Sequence, residues 1–422
     1  MRLSHWLGIV ALLALLTATP GPGQATDANR FESLKRFSQV MDLIEKSYVR
    51  DIDREELITG ALKGMLSELD PHSAYMSPDS FQEMQVETSG EFNGIGIQIS
   101  MENGRLTVVS PIEDTPAYEA GFEAGDIIME INGESTQDIT LMEAVKKIRG
   151  PKGSTVDLKV LHPEAQKPET ITVKRDTIPL ESVKSEPLGG GYLYLRVTNF
   201  QEKTTEDLQK ALQKRDGRLA GAILDLRNNP GGLLPQAVSV ADTFLKEGKI
   251  VYTEGKVKNA KMEFSAQKQQ SDIDVPLIVL INPGSASASE IVAGALQDQQ
   301  RAVILGERSF GKGSVQTVIP LTDGSGIKLT TALYYTPNGR SIQAEGIIPD
   351  IVVPFSPPQE TNGTARPILR EQDLTRHLEQ TENPEHDTVQ RSDKAKEMLE
   401  KDNQLRMALQ LVKSLPRLRK IQ

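Results

Sequence analysis

The chain has 422 residues, which is too many for one ordinary core and indicates two or three domains. Its composition, 38% apolar and 25% charged, is that of a soluble globular protein, and a net charge of −10 without a basic cluster argues against a nucleic-acid partner. Because the chain has no cysteine, it has no disulfide, no thiolate metal site and no cysteine nucleophile.

The first 25 residues have the pattern of a secretory signal peptide. Arg2 precedes an apolar run over residues 6–16, and small residues follow up to Ala25. We expect cleavage after Ala25, or after Ala18. A retained membrane anchor is the alternative, but the run is short for a bilayer span. An exported chain without cysteine avoids mispairing in an oxidising compartment, so the bacterial periplasm is the expected location.

Residues 26–88 are predicted to be helical. Apolar residues recur with helical spacing over 31–48, and a second helix over 53–69 begins with a capping box of Asp53 and Glu56.

The sequence pattern changes at residues 89–180, where it predicts short strands separated by glycine turns. Strands are predicted at 96–101, 105–109, 126–131, 155–161 and 170–174, and short helices at 115–120 and 141–149.

Residues 181–355 alternate strands with helices, which predicts a parallel sheet. The strands are expected at 219–226, 277–281 and 302–306, and the helices at 234–245 and 288–299. Residues 356–422 form a polar linker and a charged tail. The tail contains one predicted helix, 392–415, with Met398, Leu405 and Val412 on one stripe; a weakly docked or disordered tail is the alternative.

A serine-rich turn follows the strand at 277–281, with the sequence Ser-Ala-Ser-Ala-Ser-Glu at 285–290. Small residues let a substrate backbone come close, and free amides at a helix start can stabilise an oxyanion. Ser287 would occupy the place that the nucleophile has in other hydrolases. The alternative is a helix cap, since Ser287 and Glu290 also match a capping box.

The next strand leads into Gly-Glu-Arg-Ser-Phe-Gly-Lys-Gly-Ser at 306–314. Neighbouring parallel strands end side by side, so Ser287 and Lys312 can meet at one edge of the sheet. Lysine is a poor base at its free pKa of about 10.4. Burial among apolar groups, with Phe310 nearby, would lower that pKa.

Two other interpretations compete for these residues. The loop matches the start of a phosphate-binding motif, but Gly313 stands where Ser or Thr should hold magnesium, and a strand rather than a helix is predicted next. A histidine base is the second, and of the five histidines only His72 is plausible.

A third glycine turn, Asp-Leu-Arg-Asn-Asn-Pro-Gly-Gly at 225–232, follows the strand at 219–226. Its amides could donate to an oxyanion. A plain structural turn with Gly231 and Gly232 at positive φ is the alternative.

In order and spacing these three motifs, with Val-Gln at 315–316, resemble the carboxyl-terminal processing (tail-specific) proteases over roughly residues 31–355. The resemblance implies a Clp-protease/crotonase-like α/β core in which Ser287 is the nucleophile, Lys312 the general base and Gln316 the residue that orients the lysine. It implies no metal or cofactor. The implied oxyanion donors are the amide of Ala288 and one from Gly231 or Gly232.

Residues 89–180 resemble a PDZ domain inserted before the core. Phe-Asn-Gly-Ile-Gly-Ile at 92–97 is similar to the loop that binds a chain-terminal carboxylate, and residues 116–133 are similar to the domain's most recognisable stretch. Such a loop offers amides to the carboxylate while the adjacent strand pairs with the peptide. The implied carboxylate-binding residues are Gly94, Ile95 and Gly96; an ordinary glycine hairpin is the alternative.

The sequence thus predicts an exported serine endopeptidase that selects protein or peptide substrates by their free C-termini. A non-catalytic PDZ scaffold, a protease that is inactive until an adaptor or activator binds, and a crotonase-like acyl-CoA enzyme are the rivals; the signal peptide counts against the last. We expect at least a homodimer, built through the helices at 31–69, the tail helix, or both.

Overall fold

The computed structural model describes residues 24–163, 165–214, 217–257, 261–270, 272–357 and 391–418. Most of the predicted signal peptide and most of the predicted linker therefore lie outside the described residues. None of the helices in these ranges has the length and apolarity that a bilayer span requires. The chain divides into two structural units, one of residues 1–76 with 318–329 and the other of residues 77–317 with 330–422.

The first unit contains the helices α1 (Gln24–Ser47) and α2 (Arg54–Ser67) and the strand β1 (Ala74–Met76). Both predicted N-terminal helices are thus confirmed. Asp53 caps α2 by accepting the N–H of Glu55 at 3.1 Å, one residue earlier than the predicted capping box requires. β1 pairs antiparallel with residues 326–328.

The second unit begins with the helix α3 (Pro78–Ser89), and a small β-rich domain follows it along the chain. Its elements are β2 (Glu91–Gly94), β3 (Ile97–Glu102), β4 (Arg105–Pro111), α4 (Pro116–Glu119), β5 (Ile127–Ile131), β6 (Glu134–Ser135), α5 (Leu141–Ile148), β7 (Thr155–Leu161), β8 (Glu169–Lys174) and β9 (Asp176–Pro179). One sheet has the order β3-β4-β5-β7-β8, with β6 on β5, while β2 pairs with β9. The strands predicted between 89 and 180 are confirmed within two residues of their bounds. The domain has its own buried core, which includes Leu106, Val108, Ile128 and Leu158.

A parallel sheet forms the centre of the remaining residues. The elements are β10 (Val183–Pro187), β11 (Tyr192–Val197), α6 (Thr204–Gln213), β12 (Gly221–Asp225), α7 (Leu234–Asp242), β13 (Lys249–Gly255), β14 (Met262–Ser265), β15 (Leu277–Ile281), α8 (Ala288–Asp298), β16 (Val303–Gly306), β17 (Ser314–Pro320), β18 (Gly326–Tyr335) and β19 (Ile351–Val352). The strand order is β10-β11-β12-β15-β16-β19. The β10–β11 pair is antiparallel, and the other neighbouring pairs are parallel. The predicted parallel sheet is confirmed. Beside it, β13 pairs with β14 and with residues 332–335 of β18.

Both faces of this sheet are buried, as parallel sheets require. Because side chains alternate along a strand, Val279 and Ile281 of β15 pack in the core that α6, α7 and α8 complete, whereas Ile278 and Leu280 point to the other face.

The carboxy-terminal tail covers that second face with two helices, α9 (Asp393–Lys401) and α10 (Asn403–Leu418). The prediction of one helix is wrong because Asp402 is extended, with φ −121° and ψ 103°, and its Oδ1 caps α10 by accepting the N–H of Leu405 at 2.9 Å. Leu405 and Val412 are buried against the sheet, and Met398 packs beside them. Residues 391–418 are therefore docked, and the apolar stripe that we expected to serve assembly is covered by the chain's own sheet.

Candidate active site

Ser287 lies between the end of β15 and the first residue of α8, at the carboxyl edge of the parallel sheet. Its backbone has φ 55° and ψ −113°, which is rare for a residue that is not glycine. Such a conformation persists only where the surrounding structure enforces it, and it is concentrated at functional turns.

The carboxylate of Glu290 ties this turn to the loop that carries Lys312. Glu290 is completely buried. Its Oε2 accepts from the N–H of Ser287 at 2.8 Å and from the N–H of Lys312 at 2.9 Å, and its Oε1 accepts from Ser309 Oγ at 2.6 Å and from the N–H of Gly311 at 2.7 Å. Burial raises the pKa of Glu290, and these hydrogen bonds oppose the rise because they favour the ionised form.

The loop of Lys312 leaves β16 beside the Ser287 turn, since Ile281 of β15 pairs with Gly306 of β16. Lys312 is half-buried. A Cβ at Gly313 would lie 2.6 Å from the backbone nitrogen of Gln343, so only glycine fits there. The hydroxyl of Tyr334 donates to the carbonyl of Lys312.

Of two expectations about this loop, the structure contradicts one and confirms the other. Phe310 is 63% exposed, so its ring does not form an apolar wall around the lysine. The strand predicted after the loop is confirmed as β17, and because a phosphate-binding motif would place a helix there, β17 counts against the nucleotide interpretation.

Gln316 lies on β17, and its Nε2 donates to Ser314 Oγ at 2.9 Å and to Thr330 Oγ1 at 3.3 Å. These bonds fix the Gln316 side chain four residues after Lys312. Its role in orienting the lysine stays a prediction.

The third predicted turn lies against the turn that carries Ser287. A Cβ on Gly231 would come within 2.8 Å of Ser287 Cβ and 3.0 Å of Ala288 N. Ala288 N–H is the first amide of α8 and so has no acceptor within the helix. The N–H of Gly231, however, already donates to Asn229 Oδ1 at 2.9 Å. Gly232 has φ 142°, and a Cβ there would meet the carbonyl of Phe200 at 2.2 Å.

The serines on either side of Ser287 are completely buried and have partners. Ser285 Oγ donates to the carbonyl of Leu226 at 2.8 Å, and Ser289 Oγ donates to the carbonyl of Asn229 at 3.0 Å. Both hydroxyls therefore hold the two turns together. Ser287 is only partly buried.

Three family models match this chain. They are described as "Peptidase family S41" over residues 191–353, "PDZ domain" over residues 93–174 and "Activating protease CtpB N-terminal domain" over residues 17–80. A carboxy-terminal-processing protease of Bartonella bacilliformis is 46% identical over 361 residues, which cover 84% of this chain and 83% of that protein. The chain belongs to peptidase family S41.

Other similar proteins carry the same description. The carboxy-terminal processing protease CtpB of Bacillus subtilis is 38% identical over 342 residues, covering 80% of this chain and 71% of that protein. A solved structure titled photosystem II D1 C-terminal processing protease is 31% identical, with a TM-score of 0.44, and covers 75% of this chain and 86% of that one. As a member of family S41 with a PDZ domain, the chain is a carboxy-terminal processing serine protease.

In the PDZ domain of this S41 protease, the glycine loop lines a small cavity. The cavity has a volume of about 70 Å³ and is lined by Phe92, residues 94–97, Ile99, Val145 and Ile148 of α5, and Arg149, which follows that helix. The carbonyls of Ile95 and Gly96 accept from Ala117 and Ile112 at 2.8 Å, and within the described residues their amides have no acceptor.

Two features of the S41 site are not predicted from the sequence. The spacing of Glu290 from Ser287 predicts only a helix cap, although a carboxylate three residues after a candidate nucleophile is a usable signal. Asp225 and Arg227 stand out in the sequence only as part of the third motif. Asp225 is completely buried and accepts from Tyr194 Oη at 2.7 Å and from Arg227 Nε at 3.0 Å. Burial alone would raise the pKa of Asp225, but the hydrogen bonds and charge of Arg227, with the charge of Arg196, lower it overall.

Proposed function

We propose that the chain hydrolyses peptide bonds through an acyl-enzyme, with Ser287 as the nucleophile and Lys312 as the general base. Neutral Lys312 takes the proton of Ser287 as Oγ attacks the scissile carbonyl, and returns it to the leaving amine when the peptide bond breaks. Water then attacks the ester under the same base and releases Ser287. The lysine must be unprotonated for the first step. Because it acts first as the base and then as the acid, the reaction needs no histidine.

One observation carries this proposal. The backbone amides of Ser287 and Lys312 share a single acceptor, Oε2 of the buried Glu290, at 2.8 and 2.9 Å. A shared buried acceptor keeps the two residues from moving apart, and catalysis by a paired nucleophile and base depends on such fixed geometry.

The oxyanion donors that we assign are the N–H groups of Ala288 and Gly232. Gly232 is preferred over Gly231 because Asn229 Oδ1 already accepts from the Gly231 amide. If Gly231 is the donor instead, its amide must first leave Asn229, and the protease would be inactive until a substrate or partner rearranges the turn. The hydrogen bond from the Gly231 N–H to Asn229 Oδ1 is therefore an observation that favours an activated protease.

The test compares Ser287→Ala, Lys312→Arg and His72→Gln in cleavage of a peptide or protein substrate. Arginine keeps the charge of lysine but does not deprotonate in proteins. We expect the cleavage rates of Ser287→Ala and Lys312→Arg to fall to background although both variants are folded. The His72→Gln variant should stay active. An active Lys312→Arg enzyme, or activity in all three variants, contradicts the assignment.

We further propose that the PDZ domain selects substrates by their free C-termini, with the amides of Ile95 and Gly96 receiving the carboxylate. Their lack of an acceptor within the described residues supports this. Amidation removes the carboxylate charge, so it should slow cleavage of the substrate. Adding a free-acid peptide to the wild type also tests activation: a rise in cleavage of a second substrate would indicate an activated protease.

Export to the periplasm through residues 1–25 is part of the same proposal, and the pattern of those residues is its support. Amino-terminal sequencing of the protein from the periplasmic fraction should give a chain that begins at Thr26, or at Thr19 if cleavage follows Ala18. An intact chain that begins at Met1 in the cytoplasm would contradict it.

A further inference from the structure

Arg227 joins the active-site turn to the carboxy-terminal helices. Its guanidinium donates to Asp225 through Nε at 3.0 Å and through Nη2 at 2.6 Å. It also donates to the tail, through Nη2 to Asp402 Oδ2 at 2.6 Å and through Nη1 to Gln404 Oε1 at 2.8 Å. Only 9% of the Arg227 side chain is exposed. Because the donors of a guanidinium are planar and fixed, two acceptors from the tail help to set where this side chain lies.

The two acceptors are themselves held in place. Asp402 separates α9 from α10, and while its Oδ2 accepts from Arg227, its Oδ1 caps α10. Gln404 is completely buried, and its Nε2 donates to the carbonyl of Val353 at 2.6 Å. Neither side chain can move without breaking a second contact, so the tail presents a rigid surface to Arg227.

On its other side, the turn of residues 226–232 contacts the nucleophile turn. The carbonyl of Leu226 accepts from Ser285 Oγ at 2.8 Å, and the carbonyl of Asn229 accepts from the N–H of Ala286 at 3.0 Å and from Ser289 Oγ at 3.0 Å. Residues 226–232 therefore lie between the tail and Ser287. A shift of Arg227 would be passed to the turn that carries Gly231 and Gly232.

We propose that the carboxy-terminal helices are part of the active-site framework, with Asp402 and Gln404 as positioning residues that act on residues 226–232 through Arg227. The inference rests on the proposed function and goes beyond it, because residues 391–418 lie outside the three stretches that the family models match. Displacements of about 1 Å at such a turn are enough to cost about 100-fold in rate.

The test is the double variant Asp402→Ser, Gln404→Met. Serine is a good helix cap, so α10 keeps its start, but it is too short to reach Arg227. Methionine fills the volume of glutamine without its acceptor. The matched control is Lys394→Ala, which removes the tail's ion pair with Glu186 (3.2 Å) and leaves Arg227 untouched. Each protein is assayed for kcat, KM, folded fraction by circular dichroism, and the rate at which a fluorophosphonate labels the active-site serine.

We expect the double variant to be folded at the assay temperature, with kcat and the labelling rate reduced about tenfold or more and KM changed by less than about twofold. The control should keep both rates. Wild-type rates in the double variant, or a loss no larger than its loss of folded protein, would overturn the inference. If the double variant unfolds, Asp402→Asn, which keeps the cap and the size but not the charge, is measured in the same way.

The wild type separates this inference from the proposed function. A wild type that the probe does not label at Ser287 refutes the proposed function, and the inference with it. A wild type labelled at Ser287, together with a double variant labelled equally fast, refutes the inference alone.

Discussion

Ser287 and Lys312 donate their backbone N–H groups to the same oxygen of Glu290, at 2.8 and 2.9 Å. The other oxygen accepts from Ser309 and Gly311. Four donors thus converge on one buried carboxylate, and the two loops that leave neighbouring strands are held at a fixed separation.

The substitution Glu290→Gln tests this arrangement with almost no change in volume. An amide has one acceptor oxygen, so whichever way the new side chain turns, two of the four donors face an NH₂ group. We expect kcat to fall by about 100-fold. The measurement is kcat with circular dichroism as the control for folding, and a folded Glu290→Gln enzyme with wild-type kcat would show that the carboxylate is only a helix cap.

The sequence predicted both loops of this site but not what joins them. Parallel strands at 277–281 and 302–306 required the Ser287 and Lys312 loops to leave the same edge, and the structure has the strands there. The role of Glu290 could not be predicted, because its four donors come from residues up to 22 positions away and only folding brings them together. A capping box explains the Ser287–Glu290 spacing equally well.

The tail shows the same limit. A continuous helix over 392–415 was a reasonable prediction because its apolar residues keep helical spacing. At the break, the Asp402 carboxylate caps α10 through a local contact and also pairs with Arg227, 175 residues earlier. Periodicity contains no information about such a partner.

The glycine loop of the PDZ domain yields a matched pair of variants. Gly96 and Gly104 have similar φ values, +83° and +76°, but a Cβ on Gly96 would lie 2.3 Å from the Thr115 side chain, whereas one on Gly104 would meet nothing within 4 Å. Both alanine variants incur backbone strain of about 1–2 kcal/mol, because an L-residue at positive φ brings its Cβ close to the following carbonyl oxygen. Gly96→Ala should lose about 1–3 kcal/mol more of the free energy of unfolding, because of the clash.

Denaturant unfolding of the two variants measures that difference. Gly96→Ala should also abolish the preference for free over amidated substrate C-termini, which Gly104→Ala should retain. Equal unfolding free energies and equal preferences would mean that the close contact with Thr115 does not exist in solution.

His162 gives the PDZ domain a stability that depends on pH. Its Nδ1 lies 2.7 Å from Asp126 Oδ1 and its Nε2 lies 2.9 Å from Glu169 Oε1. The hydrogen bond with Glu169 raises the pKa of His162; burial opposes the rise, and Asp126 adds to it. A raised pKa means that the folded state favours the protonated ring. The stabilisation is therefore complete below the unfolded pKa of about 6.5 and is lost as pH rises through the folded pKa.

Thermal unfolding of wild type and His162→Gln at pH 6 and pH 8 tests this sign. We expect the wild type to lose more thermal stability than the variant between the two pH values. A variant with the same pH dependence as the wild type would assign that dependence to other groups.

Assembly is predicted to use α1, since the apolar stripe of the tail is covered. Phe31, Leu34 and Phe37, spaced three residues apart on one face of α1, are 68%, 68% and 44% exposed, and an apolar face of this kind favours a second copy of the chain. Light scattering should show a dimer that Leu34→Glu with Phe37→Glu converts to monomer, while Gln39→Glu, on the other side of the same helix, leaves it intact. A wild-type monomer at micromolar concentration would contradict the prediction.

The most direct test of the account is to identify the residue that a serine-directed fluorophosphonate modifies, by mass spectrometry of the labelled wild type and of Lys312→Arg. Ser285 and Ser289 are buried and donate to the carbonyls of Leu226 and Asn229, whereas Ser287 is partly exposed. We expect an adduct on Ser287 in the wild type, and no adduct in folded Lys312→Arg after the same time with the same concentration of probe. An adduct on Ser285 or Ser289, or equally fast labelling of Ser287 without the lysine, would contradict it.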